Sequence, residues 1–568
     1  MSHRTRRLAV VAIGLSFLAG GAANAADPPT LTKPVHVTKE DLNPSRTYSA
    51  PNLLAHPSNP NIVVGAFADL RTRRCGLIRT VDGGQTWSVP DASPSPASYP
   101  SCNSNPRGSF QGMLAFGRDD ALYYGLDGWD TQDGGINGNV SMVVARSTDL
   151  GDSWQPVIAR DARGKTGEQQ ESYRPITGFA VDARTGSQDT VYVGSGRRQP
   201  GFSGANALPV QPVVAVSADG GKTFGEPVNL AESAFGDNGT RQRAFQSATT
   251  VPNAPTTTTP PAGSRAATQD QAANFGGFGP GLTVDNKGTV YAIWPATYAN
   301  LNPRPSNGIF LSRSDDKGKT WTSSSVTPFD WNLGSFASVA WSPEGGSQGT
   351  LHAVINGYER VGVAGYEDIY YYRSTDGGGT WSERKNVTDD DPSQMFGQFY
   401  PTIGVAPDNR VEIAFWDTRN DPGYRSNDVY MVTSRDNGQT WGPNIRVTDS
   451  PIDRRIGVWS TNFDITSPPG LAQTKQYSML AWDDTRNTDT SAPDARSLGG
   501  GVQDIYVSAV QYSELGGGTS NAAKMALAGV VGLLLVGLIL LGMSMINRRS
   551  NPDISAPPQE RVKPGAKV

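Results

Sequence analysis

The chain is 568 residues long, with 49 Lys+Arg against 53 Asp+Glu and a formal net charge of −4. That balance gives no electrostatic case for nucleic-acid binding, and two Cys with four His and no CxxC give none for a zinc site. The 65 Gly and 41 Pro, set among many short apolar runs and few helix-like periodicities, indicate an all-β chain.

Residues 1–25 carry the three parts of a secretory signal peptide. Arg4, Arg6 and Arg7 form the basic region, Leu8 to Leu18 the apolar region, and Ala23-Asn-Ala25 a cleavage site before Ala26. Six copies of S/T-x-D-x-G-x-T/S-W/F follow: Thr80 to Trp87, Ser147 to Trp154, Ser217 to Phe224, Ser314 to Trp321, Ser374 to Trp381 and Ser434 to Trp441. Their aspartates are Asp82, Asp149, Asp219, Asp316, Asp376 and Asp436. Each copy follows an apolar β-rich run such as Val213-Val-Ala-Val216, and its chemistry is that of a tight hairpin. The carboxylate accepts backbone N–H groups across the turn, the Gly takes positive φ, and the aromatic opens the return strand. Repetition of this kind marks a repeat architecture.

The pattern is that of the Asp-box (BNR) repeat. Over residues 31–512 the chain resembles the sialidase/neuraminidase superfamily of β-propellers, a likeness that rests on scaffold motifs and therefore speaks to fold before activity.

Upstream of each box lies a Val-Tyr-Val-type strand, from Ile62-Val-Val-Gly65 to Val411-Glu-Ile-Ala414, preceded by another strand ending in a turn, as in Pro401-Thr-Ile-Gly-Val405. Three strands, a box and a return strand make a propeller blade. A seventh repeat, Ser478 to Trp482 followed by Asp504 to Ser508, has no box and no fourth strand. Pro34-Val-His-Val-Thr-Lys39 resembles the fourth strands Asn444-Ile-Arg-Val-Thr448 and Lys385-Asn-Val-Thr388, so Val35–Lys39 is expected to close blade seven and shield its edge. The sialidases have six blades, and a six-bladed ring with a loose seventh repeat is the alternative. Residues 231–274, with Thr256-Thr-Thr-Thr-Pro-Pro261, read as a Pro/Thr-rich insertion between blades three and four.

The propeller, residues 26–512, is followed by a flexible linker at 513–524. Met525 to Ile546 is uninterrupted by charge, and 22 residues at a rise of about 1.5 Å each span about 33 Å, enough for a bilayer. Arg548 and Arg549 follow in a tail at 547–568, which puts the tail inside the cell and the propeller outside. The expectation is a single-pass protein of the cell membrane.

Strand parity places the boxes and the turns between strands one and two on one face, the bottom. The loops between strands two and three and the blade connections lie on the top, where they are long, and long loops on a rigid scaffold are where function collects. Cys75 and Cys102 both fall on the top face; one disulfide and two free thiols are the two readings.

Top-face candidates come in two groups. Phe67-Ala-Asp69-Leu-Arg71, Trp416-Asp417-Thr-Arg419 and Trp482-Asp483-Asp484-Thr-Arg486 sit in blades that become neighbours on closure, and Asp453-Arg454-Arg455 joins them. Arg71, Arg419, Arg455 and Arg486 converging would grip a carboxylate bidentately, as the resemblance implies for an acidic sugar. Asp–Arg pairing within each loop is the plainer alternative. The resemblance also implies an arginine triad, an Asp acid/base and a Tyr nucleophile with a Glu partner. The Arg-Ile-Pro expected ahead of the first box is absent; Glu171-Ser-Tyr173-Arg174-Pro175 is the nearest counterpart. It nominates Tyr173, Glu171 and Arg174, with Asp417 as acid/base, against the alternative that Tyr173 is packing. Tyr358-Glu359-Arg360 is a weaker combination of the same kind. No cofactor is expected; Ca²⁺ at the boxes is an alternative for which the pattern gives no indication. Two functions follow: a surface exo-glycosidase or binding protein for terminal acidic sugars, or a non-catalytic propeller that binds a surface protein.

Overall fold

In the computed structural model, the described residues are 29–44, 46–99, 101–102, 112–129, 140–163, 171–198, 210–235, 273–274, 279–298, 306–330, 333–357, 367–391, 396–421, 423–457, 467–493 and 501–512. The signal peptide, linker, membrane segment and tail expected from the sequence lie outside them. So do Tyr358-Glu359-Arg360 and most of the Pro/Thr-rich insertion, whose near end forms a short helix at Leu230–Phe235. Among the described residues no helix is long and apolar enough to cross a membrane.

Residues 29–512 form a seven-bladed β-propeller, one antiparallel sheet per blade. Blade six is representative: Gln398–Val405, Val411–Asp417, Ser426–Ser434 and Ile445–Arg446 pair in that order. Blade one departs from the expected four strands. After its box only Ser88 pairs back, with Arg79, leaving a three-stranded sheet. Blade seven is completed from the N-terminus as the sequence suggests: Val35 pairs with Val507 and His36 with Tyr506, and Thr30–Leu31 adds a further rung against Val510 and Gln511.

Each box closes the way its residues dictate. In blade one, Thr86 donates its backbone N–H to Asp82 Oδ1 at 2.9 Å and its hydroxyl to Oδ2 at 2.5 Å, while Thr80 Oγ1 donates to Oδ1 at 2.8 Å and receives the Gly84 N–H at 2.9 Å. The box glycine sits at φ from 79° to 94° in all six copies, where a side chain is strained. The aromatic that follows packs on the interface with the preceding blade: Trp154 against the blade one–two core, Phe224 against two–three, Trp441 against five–six.

Seven apolar clusters fill the seven blade interfaces, and the one joining blade seven to blade one, with Val37, Leu53, Phe67, Met479 and Val507, shows that the ring is shut. The six-bladed alternative is thereby excluded. Near the axis the inner strands pack backbone to backbone. A Cβ on Gly178 would lie 2.0 Å from the Pro280 carbonyl oxygen and 2.7 Å from Leu282 Cγ. Main chain cannot yield as a side chain can, so Gly178→Val should cost about 3 kcal/mol. Denaturant midpoints measure this, and a cost under about 1 kcal/mol would contradict the packing.

The second-strand residue paired with the one just before the box serine is Tyr123, Tyr192 and Tyr291 in blades two to four, but His352 in blade five and Glu412 in blade six. His352 is buried, with Nδ1 2.7 Å from Tyr371 Oη and Nε2 3.0 Å from Ser342 Oγ. Burial, then the nearby Arg373 charge, pushes its pKa down to about 3, so the ring is neutral in the fold. The unfolded chain takes up the proton near pH 6.5 and the folded chain does not, so stability falls as pH drops from about 6.5 toward 3. His352→Gln should flatten the fall in Tm between pH 7 and 4.5; an unchanged slope would refute the assignment.

Candidate functional site

The top face holds every candidate, and the structure separates them. The expected disulfide is formed: Cys75 and Cys102 are bonded with Cα atoms 5.7 Å apart, joining the third strand of blade one to the connection after it.

Tyr173 and Glu171 meet, with Tyr173 Oη donating to Glu171 Oε2 at 2.6 Å, and Arg160 Nε lies 3.1 Å from Tyr173 Oη and 3.2 Å from Glu171 Oε1. This is the Tyr–Glu pair nominated from the sequence, but its setting does not suit a nucleophile. Tyr173 is 0% exposed and packs with Met142, Ala159 and Ile176 in the core between blades two and three. Burial, then the Glu171 hydrogen bond, pushes its pKa up, against the needs of a nucleophile. The pair faces the neighbouring blade, not the channel. Arg174 occupies the bulge between Tyr173 and Ile176, and its side chain lies outside the described residues. Arg160, which completes the cluster, carried no signal in the sequence because it comes from the preceding blade.

The other four candidate arginines are each engaged by acids. Arg71 reaches Asp69 (3.4 Å) and Asp41 (3.2 Å); Arg419 reaches Asp417 (2.7 Å) and Asp389 (2.6 Å); Arg486 reaches Asp484 (2.7 Å) and Asp449 (2.8 Å). In each case the backbone N–H of the arginine also donates to the aspartate two residues before it, at 2.7–3.0 Å. Asp389 and Asp449 lie just past the fourth strand of the preceding blade, and Asp41 follows the strand that closes blade seven. These arginines are clamps between blades. Arg455 is held by Asp453 at 2.6 and 2.8 Å, and Ile452–Asp453 pairs with Ser426–Asn427 of blade six, so this segment adds to blade six and not to the inner strand of blade seven.

The six box aspartates are likewise spent within their turns; hydrogen bonds, first from the hydroxyl four residues on, hold Asp82, Asp149 and Asp316 down to about 2. Among the described residues no group of three or more His, Cys, Asp or Glu could hold a metal ion.

All seven blades line a central channel cavity of about 290 Å³, with Leu53, Met113, Thr177, Leu282, Phe336, Thr402 and Leu471 in its wall. The described lining carries no ionisable side chain, and Thr177 Oγ1 is buried without a partner.

One acidic cluster borders this channel, at the junction of blades five and six. Phe336 N–H donates to Asn356 Oδ1 at 3.3 Å, Asn356 Nδ2 to Glu367 Oε2 at 2.7 Å, and Gln398 N–H to the Glu367 carbonyl at 2.7 Å. Gln398 Nε2 donates to Asp417 Oδ1 at 3.3 Å. Burial pushes Asp417 up to about 6 against the pull of Arg419, and burial likewise raises Asp390, which also neighbours Arg419 and Gln398. Tyr400, in the left-handed region at φ 49°, packs edge-on to Phe336 with ring centroids 5.3 Å apart. A bulky residue there is strained, and strain of this sort collects at functional places. Of this cluster only Asp417, with Arg419 beside it, was nominated from sequence; Asp390 lies in the Asp389-Asp-Asp391 run, and Glu367 and Gln398 come from other segments.

No protein-family model matches the chain, and no curated protein matches it in sequence. Among solved structures it is similar to a protein of unknown function from Dyadobacter fermentans DSM 18053, at 15% identity and a TM-score of 0.42 over 86% of this chain and 100% of that one. It is also similar to the Hadza microbial sialidase Hz136, at 17% identity and 0.40 over 70% of this chain and 65% of that one. Trypanosoma rangeli sialidase stands at 16% and 0.39, over 70% of this chain and 54% of the sialidase. The chain thus spans about half to just under two-thirds of the length of these sialidases, and the likeness is one of fold.

Proposed function

We propose that the chain is a secreted, membrane-anchored β-propeller that recognises glycans through its top face and does not hydrolyse them. The anchor rests on the sequence at 1–25 and 525–546. The observation that carries recognition is the channel: a neutral wall of aromatic, aliphatic and hydroxyl-bearing side chains drawn from every blade, which is the chemistry of a sugar pocket. Hydrolysis is disfavoured because Tyr173 is walled in and Arg71, Arg419, Arg455 and Arg486 are already paired to acids.

The test uses the full-length chain in nanodiscs, assayed with fluorogenic sialosides and arabinosides and by glycan-array binding. Glycan binding without turnover is expected. Turnover abolished by Tyr173→Phe in a folded variant would overturn the non-catalytic reading, and absence of glycan binding would leave a protein partner as the ligand.

A further inference from the structure

Four of the six boxes are preceded by an arginine: Arg79, Arg146, Arg313 and Arg373. Three of these find acceptors at the bottom face. Arg79 pairs with Asp152 at 2.8 Å and donates to the Leu150 carbonyl at 3.0 Å, both in the box of blade two. Arg313 pairs with Asp315 at 2.9 Å and donates to Gln348 at 2.8 Å, and Arg373 donates to the Asn437 carbonyl at 2.8 Å. Arg146 differs. Its guanidinium carbon lies 5.9 Å from the Tyr123 ring centre, and among the described residues no carboxylate pairs with it. The next box explains why. Tyr123 Oη donates to the Gly220 carbonyl at 3.2 Å, the counterpart of the Leu150 carbonyl that Arg79 holds, and Lys222 stands where the box of blade two has Asp152. An ion pair is replaced by two cations.

Both cations border a cleft of about 350 Å³ between the boxes of blades two and three, with Arg118, Asp119, Asp189 and Asp219 also in its wall. Arg118 Nε is 3.5 Å from Asp189 Oδ1 and makes no hydrogen bond. Two of the three acids are already filled. Asp189, 5% exposed, accepts the Arg118 backbone N–H at 3.1 Å and the Tyr123 hydroxyl at 2.9 Å; Asp219 accepts from Ser217, Lys222 N–H and Thr223 within its own turn. Arg146, Lys222 and the Arg118 N–H are thus left with the exposed Asp119 alone. We infer that this cleft binds a phosphate or sulfate group, gripped by the Arg146 guanidinium and Lys222 Nζ with Arg118 Nε as a third donor. Like charges sharing a cleft need a counter-charge, and a guanidinium fork matches an oxyanion. Donors from three separate elements suit three free oxygens better than the two of a carboxylate. The volume, at the lower end for ligand pockets, also leaves room for the sugar that an ester would carry. The site is on the face opposite the glycan surface and is independent of that reading.

Isothermal titration of the full-length chain in nanodiscs of net-neutral lipid tests this, with inorganic phosphate, inorganic sulfate, glucose 6-phosphate and N-acetylglucosamine 6-sulfate as probes. At least one should bind, with an affinity that falls as salt is raised. Lys222→Asp restores the arrangement of blades one and two by giving Arg146 a carboxylate, so Tm should hold or rise while anion affinity falls at least about tenfold. Arg146→Gln should lower affinity to a similar extent. A sugar ester held more tightly than its bare ion marks an esterified ligand and equal affinity marks the free ion; the site stands in both cases. No anion binding below about 10 mM, or binding unchanged in both variants, would overturn it, and neither result bears on glycan recognition at the top face.

Discussion

A chain lacking Thr30–Lys39 is expected to lose its folded state at about 37 °C. The segment is the outer edge of blade seven: Val37 N–H donates to the Ile505 carbonyl and Thr32 N–H to that of Ala509, each at 2.9 Å. Its end also ties down a buried charge. Asp504, whose side chain is 0% exposed, accepts from Arg46 Nε at 2.6 Å, Arg46 Nη2 at 2.9 Å, Asn487 Nδ2 at 2.7 Å and Thr38 Oγ1 at 3.1 Å, with His36 Nε2 at 3.3 Å. Burial alone would raise this carboxyl, but the hydrogen bonds from His36, Arg46 and Asn487 outweigh it and hold the group well below the usual carboxylate range. Its contribution is therefore present above about pH 4 and lost as the pH falls further. Deletion removes two of these partners, opens an unpaired strand edge and strips Val37 from the cluster between blades seven and one. With total stabilities of about 5–15 kcal/mol, losses of this kind are enough to open the ring. Size-exclusion chromatography and limited proteolysis measure it, and a synthetic peptide of residues 29–40 supplied in trans should restore protection. A deleted chain that melts with the parent would refute the closure.

Arg410→Met should cost about 3–5 kcal/mol, the largest effect expected of any single substitution at the bottom face. Arg410 is 2% exposed; its Nε donates to Glu412 Oε1 at 2.7 Å, its Nη2 to the Thr474 carbonyl at 2.9 Å, and it stacks on the Tyr512 ring at 3.8 Å. Glu412, 0% exposed, also receives Gln473 Nε2 at 2.6 Å and the hydroxyls of Ser478 and Tyr512. Methionine would leave a buried carboxylate without its cation. Replacing both, Arg410→Met with Glu412→Leu, should recover most of the loss, because the desolvated charge disappears with its partner. Urea midpoints of the two single variants and the double variant test this; a cost below about 1 kcal/mol for Arg410→Met would refute it.

The scaffold was legible because its signals are local. Each box closes on its own residues, so six sequence copies become six hairpins, and Val37-Thr38 could be matched to Val387-Thr388 and Val447-Thr448 by pattern alone. In the fold those threonines do one job: Thr38, Thr388 and Thr448 each bond an aspartate near the start of a third strand, Asp504, Asp368 and Asp428, at 3.1, 2.7 and 2.6 Å. The candidate site was legible only in part because its partners cross between blades. Nothing in Asp417-Thr-Arg419 reveals that Asp389 waits on the preceding connection, and nothing near Tyr173 reveals Arg160. Alternation along a strand also fails at a bulge: the register slips between Tyr173 and Ile176 and between Phe399 and Thr402, so parity cannot say which side chains turn toward the axis.

The completion of blade seven from the N-terminus has a mechanical consequence. The last strand, Asp504–Gln511, is flanked on one side by Tyr477–Asp484 and on the other by the N-terminal rungs at Thr30–Leu31 and Val35–His36. A force directed along that strand's axis loads both ladders at once. Because ladder hydrogen bonds run perpendicular to the strands, both sides are sheared together and no bond is peeled ahead of the rest.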